Sequence, residues 1–361
     1  MAKTNKKKFD IIVIGNNWTG LSLANSLSEN KSVALINSFE NKNAYQSSDE
    51  FSGEFEYLPN KANSIEKIQW FSSKHNLNIQ SSEQSVSPVT IDSGKLVQFL
   101  GFGERDGKSI DNLTWYNEAE CIKLNINNND LKSKLIDSFK GEVFENCEVT
   151  ELHVTDNIID SITLNGQKKI SAQQIIFCEP PNKLLQIIDH KNLPAKIKQK
   201  ITKIKPLSCL QIIYKHKESL QHSDDLHFLM GNKEDFEPCV GYFWKKDDIQ
   251  YSQWMLLMPS DLTEDIEKVG SNLKNIKRQI KRAYPDFLDN VEFEKVIVKD
   301  QSHGFIDLDF KEFGKIKGID NLLCASPLFS KENDLIAAIE LSQLLEDHPF
   351  MNNTVEPAAS V

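Results

Sequence analysis

The chain has 361 residues, 39% hydrophobic and 26% charged, with a formal net charge of -10 and a sequence pI of about 5.4. That length suits two domains or one large interrupted one, and the composition is globular rather than disordered. The acidic balance opposes broad attraction to nucleic acid or anionic lipid, so neither is expected as a partner.

The first feature in chain order is a basic run, Lys3 to Lys8, read as a short tail over residues 1–8. The apolar run after it, Ile11 to Ile14, is too short for the core of a secretory signal. No stretch approaches the roughly 18 apolar residues of a membrane span, so a soluble cytoplasmic protein is expected. Phe9 to Gly15 reads as a buried parallel strand, since Ile11, Ile12, Val13 and Ile14 are continuously apolar and β-branched. Leu21, Ala24 and Leu27 then give helical spacing from Gly20 to Glu29, and Ser32 to Ile36 supplies a second strand. This is a complete β-loop-α-β unit.

Residues 41–64 are polar and turn-rich, and 65–129 mix a helix, short strands and the loop Gly101-Phe102-Gly103. A helix from Leu131 leads into Gly141, after which Glu148 to Leu152, Ile158 to Leu164 and Gln174 to Cys178 predict a β-meander returning to the main sheet. Pro180-Pro181 breaks the chain before helices at Leu184 to Ile188 and Ile197 to Ile204. Cys209 to Tyr214, Val240 to Trp244 and Trp254 to Met258 are strand candidates for a second domain. Leu273 to Arg282 is a basic helix with Ile276, Ile280 and Ala283 on one face, its charges reading as a solvated surface. Leu322 to Ala325 is a strand, and Leu335 to Glu346 a helix with Ala338, Leu341 and Leu345 inward.

A dinucleotide-binding loop needs one glycine for the turn after the strand, a second where backbone meets the pyrophosphate, and a third for helix-strand packing. Gly15-Asn16-Asn17-Trp18-Thr19-Gly20 keeps the first and third and replaces the second with Asn17. Asparagine tolerates positive φ better than other residues with a Cβ, but its side chain takes up room the phosphates would use. At the end of the second strand, where an acid should take the ribose hydroxyls, stands Asn37. The six cysteines, Cys121, Cys147, Cys178, Cys209, Cys239 and Cys324, show no CxxC pair and no zinc spacing, so no metal is expected.

Gly20-Leu21-Ser22-Leu23-Ala24 resembles the GLxxA helix start of the amine oxidase, protoporphyrinogen oxidase and phytoene desaturase group. Asn146 to Leu152 is similar to a further strand of that group, and Ile175 to Pro181 to its run ending in a small residue and Pro-Pro. Gly318 to Pro327, followed by Ile336-Ala337-Ala338-Ile339, is similar to its C-terminal strand and flavin-facing helix start. The four segments keep the family's order over residues 9–345. The resemblance implies an α/β fold: a Rossmann-type FAD/NAD(P)-binding domain from residues 9–60, 131–205 and 290–346. A smaller α+β substrate-type domain is inserted, from 61–130 and 206–289, with a tail over 347–361. It implies cofactor contacts at Gly15, Asn17, Trp18, Thr19 and Gly20 in the loop, at Asn37, at Val149 through its backbone to adenine, and at Ser326 and Pro327.

Ser326-Pro327 stands where the family has Gly-Asp, which removes a carboxylate and a backbone N–H from the ribitol end. No arginine lies between Asn37 and Asn60, where the family has a Gly-Gly-Arg loop. Lost charge-assisted bonds of about 1.5 to 3 kcal/mol each would weaken binding by roughly three or four powers of ten. The expectation is therefore weak or absent FAD binding and a binding or accessory role, toward a small ligand or a protein partner. The alternative is an active FAD-dependent oxidoreductase of small amines or C–H/C–C substrates, in which Glu40 replaces the missing acid or the Asn17 amide donates to phosphate. A variant of it places NADPH in the loop, with Asn37-Ser38 and Lys42 near the 2′-phosphate. No catalytic residue is assigned: His303 reads as structural, and Trp244 and Trp254 as core aromatics.

Overall fold

Apolar runs buried on both faces build the centres of two seven-stranded sheets, and a third sheet has three strands. The structure is a computed structural model and describes residues 7–37, 55, 57–61, 63–220, 226–231, 237–304, 314–329, 334–346, 348 and 350, with backbone alone at 334 and 346. The chain opens with β1 (Lys7–Ile14), α1 (Trp18–Leu27) and β2 (Val33–Ile36). There follow β3 (Leu58–Pro59), α2 (Ser64–Lys74), β4 (Ser81–Ser85), β5 (Val89–Asp92), β6 (Lys95–Gln98), α3 (Lys108–Thr114), β7 (Glu120–Leu124) and α4 (Asn128–Ser138). Next come β8 (Glu142–Phe144), β9 (Val149–Thr155), β10 (Ile158–Leu164), β11 (Lys168–Phe177), α5 (Pro181–Ile187) and α6 (Ala195–Thr202). The remainder is β12 (Leu207–His216), β13 (Leu226–Leu229), β14 (Cys239–Lys246), β15 (Ile249–Pro259), α7 (Ile266–Ala283), β16 (Val291–His303), β17 (Leu322–Cys324) and α8 (Asp334–Glu346).

The first sheet runs β8-β2-β1-β11, all parallel. β11 is long enough to serve two partners. Its start pairs antiparallel with β10, itself paired with β9, while Ile175, Ile176 and Phe177 pair in parallel with Leu322, Leu323 and Cys324 of β17. Ile12, Ile14, Ile175, Phe177, Leu322 and Cys324 face one core, with the meander and Leu184 of α5. Ile11, Val13, Leu35, Ile176, Leu323 and Ala325 face the other, under α1, α2, α4 and α8. A strand covered on both faces has no polar side, which is why the second half of β1, Ile11 to Ile14, reads as an unbroken apolar run.

The second sheet runs β16-β12-β15-β14-β13-β5-β6. Helix α7 lays Ile276 and Ile280 on Leu210, Ile212, Tyr214 and Trp254, while its charged positions stay outward. On the opposite face Tyr57, Tyr116 and Tyr242 pack with Leu207, Cys209 and Met255. Three boundaries differ from the expectation. Lys7 and Lys8 are not tail but the start of β1, paired with Ile170 and Ser171, where the Lys7 ammonium meets Glu142. Residues 291–303 belong to the second sheet, because β16 runs antiparallel along nearly all of β12. Helix α2, assigned to the inserted segment, buries Ile68 and Phe71 in the core of the first sheet instead.

Candidate functional site

In parallel α/β sheets ligands sit beyond the carboxyl ends of the strands. Four such ends meet here: Gly15 after β1, Asn37 after β2, Cys178-Glu179 after β11 and Ser326-Pro327 after β17. Gly15 has φ +109 and accomplishes the turn that a Cβ would strain. Gly20 allows the helix to press on the loop, since a Cβ there would lie 1.9 Å from the Gly15 carbonyl oxygen and 3.6 Å from Cys178 Cβ.

Asn17 is the N-cap of α1, with φ −67 and ψ 174. The expected tolerance of positive φ is therefore not used; the left-handed position is Gly15. Its side chain acts at both ends. Oδ1 accepts from the Gly20 N–H at 3.0 Å, and Nδ2 donates to the Cys178 carbonyl at 2.7 Å. One amide thus caps the helix and ties it to β11, using groups that face the loop.

Trp18 points inward. It is 1% exposed, packed in the α1-side core with the Lys132 ammonium 4.7 Å from its ring centroid. Thr19 is fully buried, and its hydroxyl has no hydrogen-bond partner among the described residues. Asn37 has its backbone tied to the β8–β9 connection: its N–H donates to Phe144 O at 3.1 Å and its carbonyl accepts from Cys147 N at 3.3 Å. Val149, two residues on, begins β9 with its side chain in the meander core. Ser326 is fully buried at the start of a 3-10 turn, Pro327–Phe329; its Oγ accepts from Leu328 N at 3.4 Å and its carbonyl from Phe329 N at 3.1 Å. Glu40 and Lys42 lie outside the described residues.

The residue that sequence reasoning missed is Glu179. A Cβ on Gly15 would stand 2.6 Å from Glu179 Oε1 and 3.3 Å from its Cγ, so the acid lies over the turn of the glycine loop. Its partner is Lys183, one helical turn on in α5, at a long 3.5 Å, both largely buried. Burial lowers the Lys183 ammonium to about 8, with the Asp300 carboxylate acting in the other direction. Asp300 is itself bound to Ser208 Oγ at 2.6 Å. The sequence signal for Glu179 is an acid directly after the strand that adjoins the glycine loop, within the run Ile175 to Pro181.

No protein-family model matches the chain, and no curated protein matches its sequence. Solved structures do match. It is similar to a putrescine oxidase variant with redesigned cofactor binding, at 11% identity over 96% of this chain and 100% of that one, TM-score 0.64. It is similar to an oxidoreductase from Methanosarcina mazei at 10% identity over 94% and 100%, TM-score 0.65. A third is cyclohexylamine oxidase from Brevibacterium oxydans, 11% identical over 94% and 99%, TM-score 0.59. The chain has the fold of these two amine oxidases and of the oxidoreductase. The α/β, Rossmann-type architecture that the sequence motifs implied is borne out, and at such identity the likeness carries the fold and not the activity.

Elsewhere the amine-oxidase fold places the other candidates in packing roles. His303 hydrogen-bonds Tyr116 OH at 3.2 Å and Ser302 Oγ at 2.8 Å, and burial lowers its pKa to about 3, so it is neutral. Trp254 is fully buried against Phe243 and Tyr284, and Trp244 is stacked between Tyr242 and Tyr251. Burial raises the thiols of Cys209 and Cys324 to about 12, as for small core hydrophobes. No described helix is long and apolar enough to cross a membrane, and no metal-holding His/Cys/Asp/Glu group occurs among the described residues.

Proposed function

We propose that this amine-oxidase-fold protein holds flavin weakly or not at all, and serves as a binding or accessory protein for a small ligand or a protein partner. The observation that carries this is the double engagement of Asn17. In a dinucleotide loop the second glycine leaves the first turn of the helix open to phosphate. Here the Asn17 carboxamide fills that position, and its oxygen takes the Gly20 N–H that would otherwise be available there. The other anchors weaken together: Asn37 is neutral where a carboxylate would hold ribose, and Ser326 turns its hydroxyl and carbonyl to its own 3-10 turn. Pro327 has no N–H to offer. The residues therefore do not fit a tightly held FAD.

One feature favours the second reading, an active FAD-dependent oxidoreductase. The buried Thr19 hydroxyl in the first turn of α1 lacks a partner among the described residues, and a buried unsatisfied group costs about 1 to 3 kcal/mol that a ligand could relieve. A single hydroxyl does not replace two carboxylates. The test is purification in excess FAD followed by gel filtration and a visible absorbance spectrum. The proposal expects protein without stoichiometric flavin; a yellow protein with one flavin per chain assigns the oxidoreductase instead.

A further inference from the structure

Resting on the reading that flavin is not tightly held, we propose that Glu179 is a built-in anion that closes the glycine loop, with Lys183 as its counter-charge, and so excludes diphosphate ligands from it. Three observations meet at this point. Gly15 keeps the open, left-handed turn of a phosphate-binding loop, with φ +109. The space on its open side is taken by Glu179, whose Oε1 would lie 2.6 Å from a Cβ there. The acid is held by burial and by Lys183 at 3.5 Å, not left to swing in solvent.

The positive end of α1 and the turn it leaves are a ready place for an anion. A carboxylate that arrives with its own ammonium fills such a place at no net charge. A diphosphate would bring like charge against Glu179 in a partly desolvated site, where repulsion is screened far less than in water. It would also have to displace the side chain physically. Exclusion by volume and exclusion by charge are thus separate, and two substitutions tell them apart. Glu179→Gln keeps the volume and removes the charge. Glu179→Ala removes both and leaves the Lys183 ammonium beside the loop, with Asp300 as the remaining acid near it.

The experiment is a calorimetric titration of wild type, Glu179→Gln and Glu179→Ala with ADP, repeated with FAD. The proposal expects at least a tenfold gain in ADP affinity for Glu179→Gln and a larger one for Glu179→Ala, both reduced by added salt. Lys183→Met, which leaves the acid without its ammonium, should bind ADP no better than wild type. Equal ADP affinity in wild type and both Glu179 variants overturns the proposal while leaving the reading of weak flavin binding intact. Stoichiometric FAD in the wild type overturns that reading directly. A ligand-free readout guards against misfolding. Gly15→Ala should cost less thermal stability in the Glu179→Ala background than alone, whereas additive losses would show that Glu179 does not lie on the turn.

Discussion

Replacing Asn17 by alanine removes both ends of the bridge between α1 and β11. The capping bond to Gly20 N contributes about 1 kcal/mol, within a range of roughly 0.5 to 2. The Cys178 carbonyl then loses the donor that reaches it at 2.7 Å, at a cost of about 1 to 3 kcal/mol for a partly buried acceptor. The sum is about 2 to 4 kcal/mol. Asn17→Ser keeps a capping oxygen and loses only the tie to β11, so it should fall between wild type and alanine. Because the side chain ties one helix to one strand, the assay is amide hydrogen exchange of the α1 peptide Trp18–Leu27. Protection should decrease in the order wild type, Asn17→Ser, Asn17→Ala. Unchanged protection in the alanine variant would refute the reasoning that this side chain is committed to the fold rather than open to a ligand.

His75 joins α2 to α1 through Ser22 Oγ at 3.2 Å and Asn25 Oδ1 at 3.1 Å, and burial lowers its pKa from 6.5 to about 4. A base with a lowered folded pKa is stabilising to keep neutral, so its contribution is complete above pH 6.5 and is lost as pH falls toward 4. The loss is about 3 kcal/mol over that window, read as the difference in urea midpoint between wild type and His75→Gln against pH. Asn321 is fully buried and bonds the Ile159 N–H at 2.8 Å and carbonyl at 3.0 Å, so Asn321→Ala should cost about 2 to 4 kcal/mol in chemical denaturation. Gly241→Ala would put a Cβ 2.3 Å from the Trp254 ring; a loss of about 1 to 3 kcal/mol is expected, and a smaller added loss when the same change is made in a Trp254→Leu background.

Much of the first sheet was legible because its strands are covered on both faces. Ile11 to Ile14, Ile175 to Cys178 and Leu322 to Ala325 have no polar alternation, and a sheet covered on both faces buries such runs. The placement of β16 was not legible. Val291–His303 has the mixed polarity of an edge strand, and which sheet it joins depends on pairing with β12, some eighty residues earlier in the chain. Helix α2 was misassigned for a similar reason, since Ile68 and Phe71 mark an apolar stripe but not the core that receives it. At the site, sequence identified the glycine turn and the substitutions at Asn17, Asn37, Ser326 and Pro327. What it did not reveal was direction: that Trp18 turns inward, that both ends of Asn17 are engaged, and that Glu179 lies across Gly15. Those depend on how β11 adjoins β1, a tertiary fact.

The proposed weak hold on the dinucleotide is tested most directly by the dissociation constant of FAD from the unmodified full chain, by titration at physiological salt. Set beside it, the triple variant Asn17→Gly, Asn37→Glu and Pro327→Asp restores the missing groups. A wild-type constant in the micromolar range or weaker is expected, with tighter binding by the triple variant. A nanomolar wild-type constant, unimproved by the three substitutions, would contradict it.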